Sequence, residues 1–129
     1  MQILARKEAE DKGAHEALIL NDLGHVCEGT ASNLFWIEND DIFTPPLSSG
    51  VLPGVTRKLI FQICESESLV CREKTIALEQ LRKSTGIFLT LSSFGIIEAE
   101  SLDEFVFPTA TLIARLQRAF SAFVANQPT

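Results

Sequence analysis

Three short segments carry groups whose types and spacing suit ligand chemistry. The first is SSGVLPGVTRKLI, residues 48–60, where Leu-Pro-Gly halts the chain and Val55, Thr56 and Arg57 open a helical pattern. The first backbone N–H groups of a helix have no internal acceptor and carry a partial positive charge. Gly54 lets another group approach the backbone closely, and Thr56 adds a hydroxyl donor. Together the amides of Val55 and Thr56 would make a cup for a phosphate. The same residues also suit an ordinary helix cap. The second segment is EGTASN, residues 28–33, with Glu28 at the end of a short apolar run. A carboxylate there can hold a protonated heterocyclic nitrogen in a charge-assisted hydrogen bond, or else cap the Gly-Thr turn beside it. The third is TLSS, residues 90–93, which puts hydroxyls where an apolar strand ends. Ligands gather at strand ends in open α/β sheets, although a hydroxyl-rich turn can also satisfy its own backbone.

These segments need a scaffold, and 129 residues with 46% apolar content are enough for one domain with a core. A net charge of −6 disfavours general binding to nucleic acid or a membrane surface, which would need clustered Lys and Arg. It leaves room for a small phosphorylated ligand. The cysteines are Cys27, Cys64 and Cys71, an odd number without C-x-x-C spacing. They read as packing residues in a reducing cytoplasm. His15 and His25 have no partners at metal-ligand spacing, so no metal is expected. The longest apolar run, GIFLTLSSFGII, is broken by Gly and Ser and is too short to cross a membrane.

Hydrophobic periodicity supplies the elements. QILARKEAEDKG reads as a helix with Ile3 and Leu4 on one side and Gly13 as a stop. Met1 falls almost inside this helix, as in a truncated domain. HEALILND and HVCEGT read as strands, and SNLFWIE with DIFTP as a hairpin about Asn39-Asp40. A helix is expected over residues 55–66, with Val55, Leu59, Ile60 and Ile63 on one face. SLVCREK, GIFLTLSS and GIIEAESL read as strands, ALEQLRKS as a short helix, and residues 108–126 as a final amphipathic helix. Mixed strands and helices give an α/β (α+β) domain.

The order EALILND, LGHVCEGTASNLFWIENDDIFTPPLSSGVLPGVTR resembles the C-terminal region of class IV PLP-dependent enzymes. These include branched-chain aminotransferase, D-amino-acid aminotransferase and aminodeoxychorismate lyase. The resemblance is dense over residues 16–57 and continues more loosely through IFLTLSSFGIIEAESL and the last helix. It implies the large domain of the D-amino-acid aminotransferase-like fold, a mixed sheet or pseudo-barrel with flanking helices, and pyridoxal 5′-phosphate (PLP) as cofactor. Glu28 matches the glutamate that pairs with the pyridine nitrogen. Val55 and Thr56 match the phosphate-binding positions, and Ser92 matches a second phosphate-contacting hydroxyl, here preceded by Leu91 instead of the family's Gly or Asn. Gly29, Thr30 and Asn33 match the turn around the ring, and Arg57 a structural arginine. The family's Schiff-base lysine lies before the stretch that here reads QILARKEAE, so it is expected ahead of Met1. Lys7, Lys12, Lys58, Lys74 and Lys83 do not match it. The resemblance thus implies one domain over residues 1–129 without the small N-terminal domain, a homodimeric habit, and amino-acid and keto-acid substrates. The chain alone is expected to be inactive. An aminodeoxychorismate lyase-like activity and a non-catalytic PLP- or partner-binding domain are the alternatives.

Overall fold

The computed structural model describes residues 2–5, 16–20, 24–29, 32–46, 55–91 and 95–125. Ten strands and three helices lie among them: β1 (Gln2–Ala5), β2 (Glu16–Leu20), β3 (Val26–Gly29), β4 (Asn33–Glu38), β5 (Asp41–Thr44), α1 (Val55–Ser66), β6 (Cys71–Glu73), α2 (Leu78–Arg82), β7 (Gly86–Leu91), β8 (Gly95–Glu98), β9 (Ser101–Leu102), β10 (Phe105–Val106) and α3 (Thr111–Ala125). The strands form two five-stranded sheets, ordered β10-β9-β1-β2-β3 and β6-β5-β4-β7-β8. Both are mixed. In the first, β1 runs parallel to β2 and to β9. In the second, β5 and β6 are parallel while the other pairs are antiparallel. The expected α/β architecture, with mixed sheets and flanking helices, is the one observed.

The second sheet is buried on both faces, which explains its nearly continuous apolar sequence. Leu34, Trp36, Ile87 and Leu89 belong to one core with Ile3, Val26 and Leu102 of the first sheet. Phe35, Ile37 and Phe88 belong to another core with Ile60 and Ile63 of α1 and Ile113 and Leu116 of α3. Because side chains alternate along a strand, residues 34–37 feed both cores in turn. The Phe35 and Phe88 rings stack with centroids 5.0 Å apart. At the far end of β4, Asn39 and Asp40 take φ of 52° and 67°. This is the left-handed pair that a two-residue hairpin of matching twist requires. Trp36 Nε1 donates to Glu38 Oε2 at 2.6 Å and Lys74 Nζ to Glu38 Oε1 at 3.1 Å. The indole N–H, more than the ammonium, holds the Glu38 carboxyl below the usual range.

Residues 2–5 correct the helix expected at the start of the chain. They form a strand between two parallel neighbours, with Ile3 fully enclosed. Four residues cannot separate a period of 3.6 from a period of 2, so the tertiary pairing decides. The rest of that expected helix lies outside the described residues. The final helix starts at Thr111, not 108; ahead of it the Ala110 N–H donates to Glu98 Oε2 at 2.9 Å. Strand β10 was not expected. It forms a tight hairpin with β9 through Asp103, at φ 53°.

Gly95 has φ +72°, and an added Cβ would lie 2.6 Å from Phe120 Cε1. Gly95→Ala should lower stability by about 1–3 kcal/mol, from backbone strain plus overpacking. A lower urea midpoint at unchanged slope is the expected reading.

Candidate functional site

One end of the second sheet collects several of the residues singled out in the sequence. Asn33, which starts β4, pairs with Thr90 near the end of β7. Thr90 and Leu91 pair in turn with Ile96 and Gly95 at the start of β8. Antiparallel pairing with β4 brings the end of β5 to the same side, where Thr44 Oγ1 donates to Leu34 O at 2.7 Å.

Arg57 ties the start of α1 to this end. Its Nη2 donates to Pro45 O at 3.1 Å and to Glu73 Oε2 at 2.7 Å, while the guanidinium lies 5.2 Å from the Phe61 ring centroid. The side chain is buried, and its charge is answered by Glu73 at the end of β6. Arg57 is therefore a clamp for the helix start, as expected of a structural arginine. An anion at this helix start would have to be held by backbone amides. The first turn of α1 contains no acidic residue, although a helix N-terminus favours one. Thr56 is half-buried in that turn. A helix N-terminus without a competing carboxylate in its first turn is the donor set an incoming anion needs.

Glu28 lies on β3, opposite Ile19. The pairing runs Leu18 with Gly29 and Ile19 with Glu28, then Leu20 with Val26, so Cys27 is an extra residue in the strand. Such a bulge bends the strand and raises its twist. From Glu28 the chain leads by five residues to Asn33, a span of at most about 18 Å. The side chains of Glu28 and Val55 lie outside the described residues, as do Thr30 and Ser92. The start of α1, the end of β7 and the start of β4 are thus brought to one end of one sheet.

Thr90 adds a feature that pattern reading did not single out. It is 2% exposed, and its Oγ1 has no hydrogen-bond partner among the described residues. A buried hydroxyl left unpaired costs about 1–3 kcal/mol. TLSS signalled a hydroxyl-bearing strand end, but burial without a partner is legible only once the neighbouring strands are placed.

A family model described as Amino-transferase class IV matches residues 1–102. A probable branched-chain-amino-acid aminotransferase of Thermotoga maritima is 32% identical over 127 residues, which is 96% of this chain and 46% of that protein. Among solved structures, a putative 4-amino-4-deoxychorismate lyase from Legionella pneumophila has a TM-score of 0.85 and 33% identity, covering 92% of this chain and 44% of that one. An aminotransferase from Brucella abortus, solved bound to the co-factor PLP, has a TM-score of 0.86 and 26% identity, covering 92% and 42%. The chain spans less than half the length of each of these relatives.

Thr90→Val keeps the shape of the side chain and removes the unpaired hydroxyl. In the absence of ligand it should leave the chain equally stable or up to about 2 kcal/mol more stable, whereas Thr90→Ala should destabilise it by leaving a cavity. Urea unfolding of the three proteins checks this. A clear loss in the valine variant would mean that the hydroxyl already has a partner.

Proposed function

The chain belongs to the amino-transferase class IV family, and from that premise we propose that it binds PLP and takes part in transferring an amino group from an amino acid to a 2-oxo acid. The observation that carries the proposal is the convergence at one end of the second sheet of the α1 N-terminus, whose first turn holds no acidic residue, and the enclosed Thr90 hydroxyl, which has no hydrogen-bond partner among the described residues. A helix N-terminus and a hydroxyl donor at one place fit a phosphorylated cofactor.

In this reading the amides of Val55 and Thr56, with the Thr56 and Ser92 hydroxyls, hold the phosphate. Each hydrogen bond to a charged oxygen there is stronger than its neutral counterpart. Arg57 contributes by fixing the helix start to Pro45 and Glu73, which keeps the amides aimed. Glu28 holds a proton on the pyridine nitrogen by presenting a carboxylate to it. PLP itself supplies a protonated ring that takes up the electron pair left at the substrate carbon. Gly29, Thr30 and Asn33 shape the turn beside the ring. Amino acids and keto acids are the substrates we propose for the whole protein.

A second reading, an aminodeoxychorismate lyase-like activity, is favoured by the Legionella structure at 33% identity. Both readings use the same cofactor residues. We further propose a cytoplasmic homodimer. Cys64 and Cys71 are free thiols, which suits a reducing compartment, and among the described residues no helix is long and apolar enough to cross a membrane.

Two substitutions test the cofactor residues. Thr56→Val should weaken PLP binding by about 1 kcal/mol, one net hydrogen bond, and leave the affinity for dephosphorylated pyridoxal unchanged. An equal loss for both ligands, or none for either, would reduce Thr56 to a helix cap. Glu28→Gln removes a negative charge that favours the protonated pyridine. The ring nitrogen of bound PLP should then lose its proton at a lower pH than in the parent chain. An absorbance titration reads this, and an unchanged transition would remove Glu28 from its assigned role.

A further inference from the structure

Glu73 ends β6, an edge strand of the second sheet, and its side chain is 46% exposed, whereas that of its partner Arg57 is 9% exposed. A carboxylate half in water thus answers a cation that is nearly enclosed. Arg57 Nη2 donates both to Pro45 O and to Glu73 Oε2, while Arg57 Nε is buried with no hydrogen-bond partner among the described residues. Glu73 is in turn tied to the sheet. It stands in parallel register with Thr44 of β5, and the next residue, Lys74, donates its N–H to Thr44 O at 2.9 Å. The Thr44 hydroxyl donates to Leu34 O on β4, and β4 pairs with β7 from Asn33, opposite Thr90. A chain of hydrogen bonds therefore runs from the sheet end that carries Asn33 and Thr90, through Glu73, to the residue that follows Thr56.

We propose that Glu73 is a positioning residue for the cofactor phosphate, acting through Arg57 on the first turn of α1; this rests on the reading that the phosphate binds at that helix start. Two opposite effects follow from a carboxylate in this place. As a charge, it offsets the Arg57 cation and lowers the positive potential an anion would meet. As an acceptor, it keeps the guanidinium docked, and with it the helix start. The first effect is small, because the carboxylate is half exposed and water and salt screen it. The second is large, because the cation is enclosed. A guanidinium that loses its carboxylate either stays buried with its charge unanswered or turns out into water, and turning out relieves the desolvation cost. That movement breaks the hydrogen bond to Pro45 O and releases the first turn of α1 from the end of β5. An exposed side chain at a sheet edge thereby governs how well a helix start is held for an anion.

The test compares Glu73→Ala with the parent chain in its binding of PLP and of dephosphorylated pyridoxal, and in hydrogen exchange without ligand; Glu73→Gln takes its place if the alanine variant does not fold. PLP binding should weaken about three- to tenfold while pyridoxal binding stays within about twofold, the scale on which a residue acting through another alters affinity. Without ligand, the amides of Leu59 and Ile60, whose i→i−4 acceptors lie in the first turn of α1, should exchange faster, while amides near the end of the helix keep their rate. A general loss of stability would speed both. The proposal is overturned if the variant binds PLP as tightly as the parent or more tightly, if both ligands weaken equally, or if exchange at the helix start is unchanged. A parent chain that binds PLP no more tightly than pyridoxal would instead overturn the phosphate site itself, and the role of Glu73 with it.

Discussion

The buried guanidinium of Arg57 holds the rest of the candidate site in place. A single nitrogen reaches a main-chain carbonyl at the end of one strand and a carboxylate at the end of the next. Taking a cation out of water is costly, and a buried ion pair is seldom a large net gain in stability. What it contributes here is position. The helix start cannot swing away from the sheet without stranding a charge. The backbone amides at that start then need no cation of their own to remain aimed at one place.

A second constraint is that the second sheet has no solvent face at its centre. One side meets the first sheet and the other meets α1 and α3. Helix α1, strand β7 and strand β4 therefore all meet in one slab. Strands β4 and β7, which carry Asn33 and Thr90, rest on two cores at once, and α1 packs on one of them.

How far the sequence revealed this depends on the range of the forces involved. Helix α1 and the Asn39–Asp40 hairpin were legible because a breaker, a turn pair and a hydrophobic period are written within a dozen residues. The start of that helix at Val55 was legible for the same reason. Strand β1 was misread because its state is set by β2 and β9, the latter about a hundred residues away in the chain. The role of Arg57 came from resemblance, while its actual partners, 12 and 16 residues distant, needed the fold. The enclosed hydroxyl of Thr90 follows from neighbours that no local pattern names. The side chain of Glu28 lies outside the described residues, so its role rests on family membership.

The two-sided burial of β4 and β7 also removes a usual safeguard. In a sheet with one wet face, sliding a strand by one residue exposes every apolar side chain, and water forbids the error. Here a slide would exchange greasy neighbours for other greasy neighbours. Alignment must then be enforced by a few polar fasteners. These are the Asn39–Asp40 reversal, the Thr44 hydroxyl on Leu34 O, and the Thr85 hydroxyl on Ile37 O at 2.9 Å. They are small, yet a misalignment of one step would shift the ligand end by about 3.3 Å. That is roughly the whole length of the contacts on which recognition of a phosphate would depend.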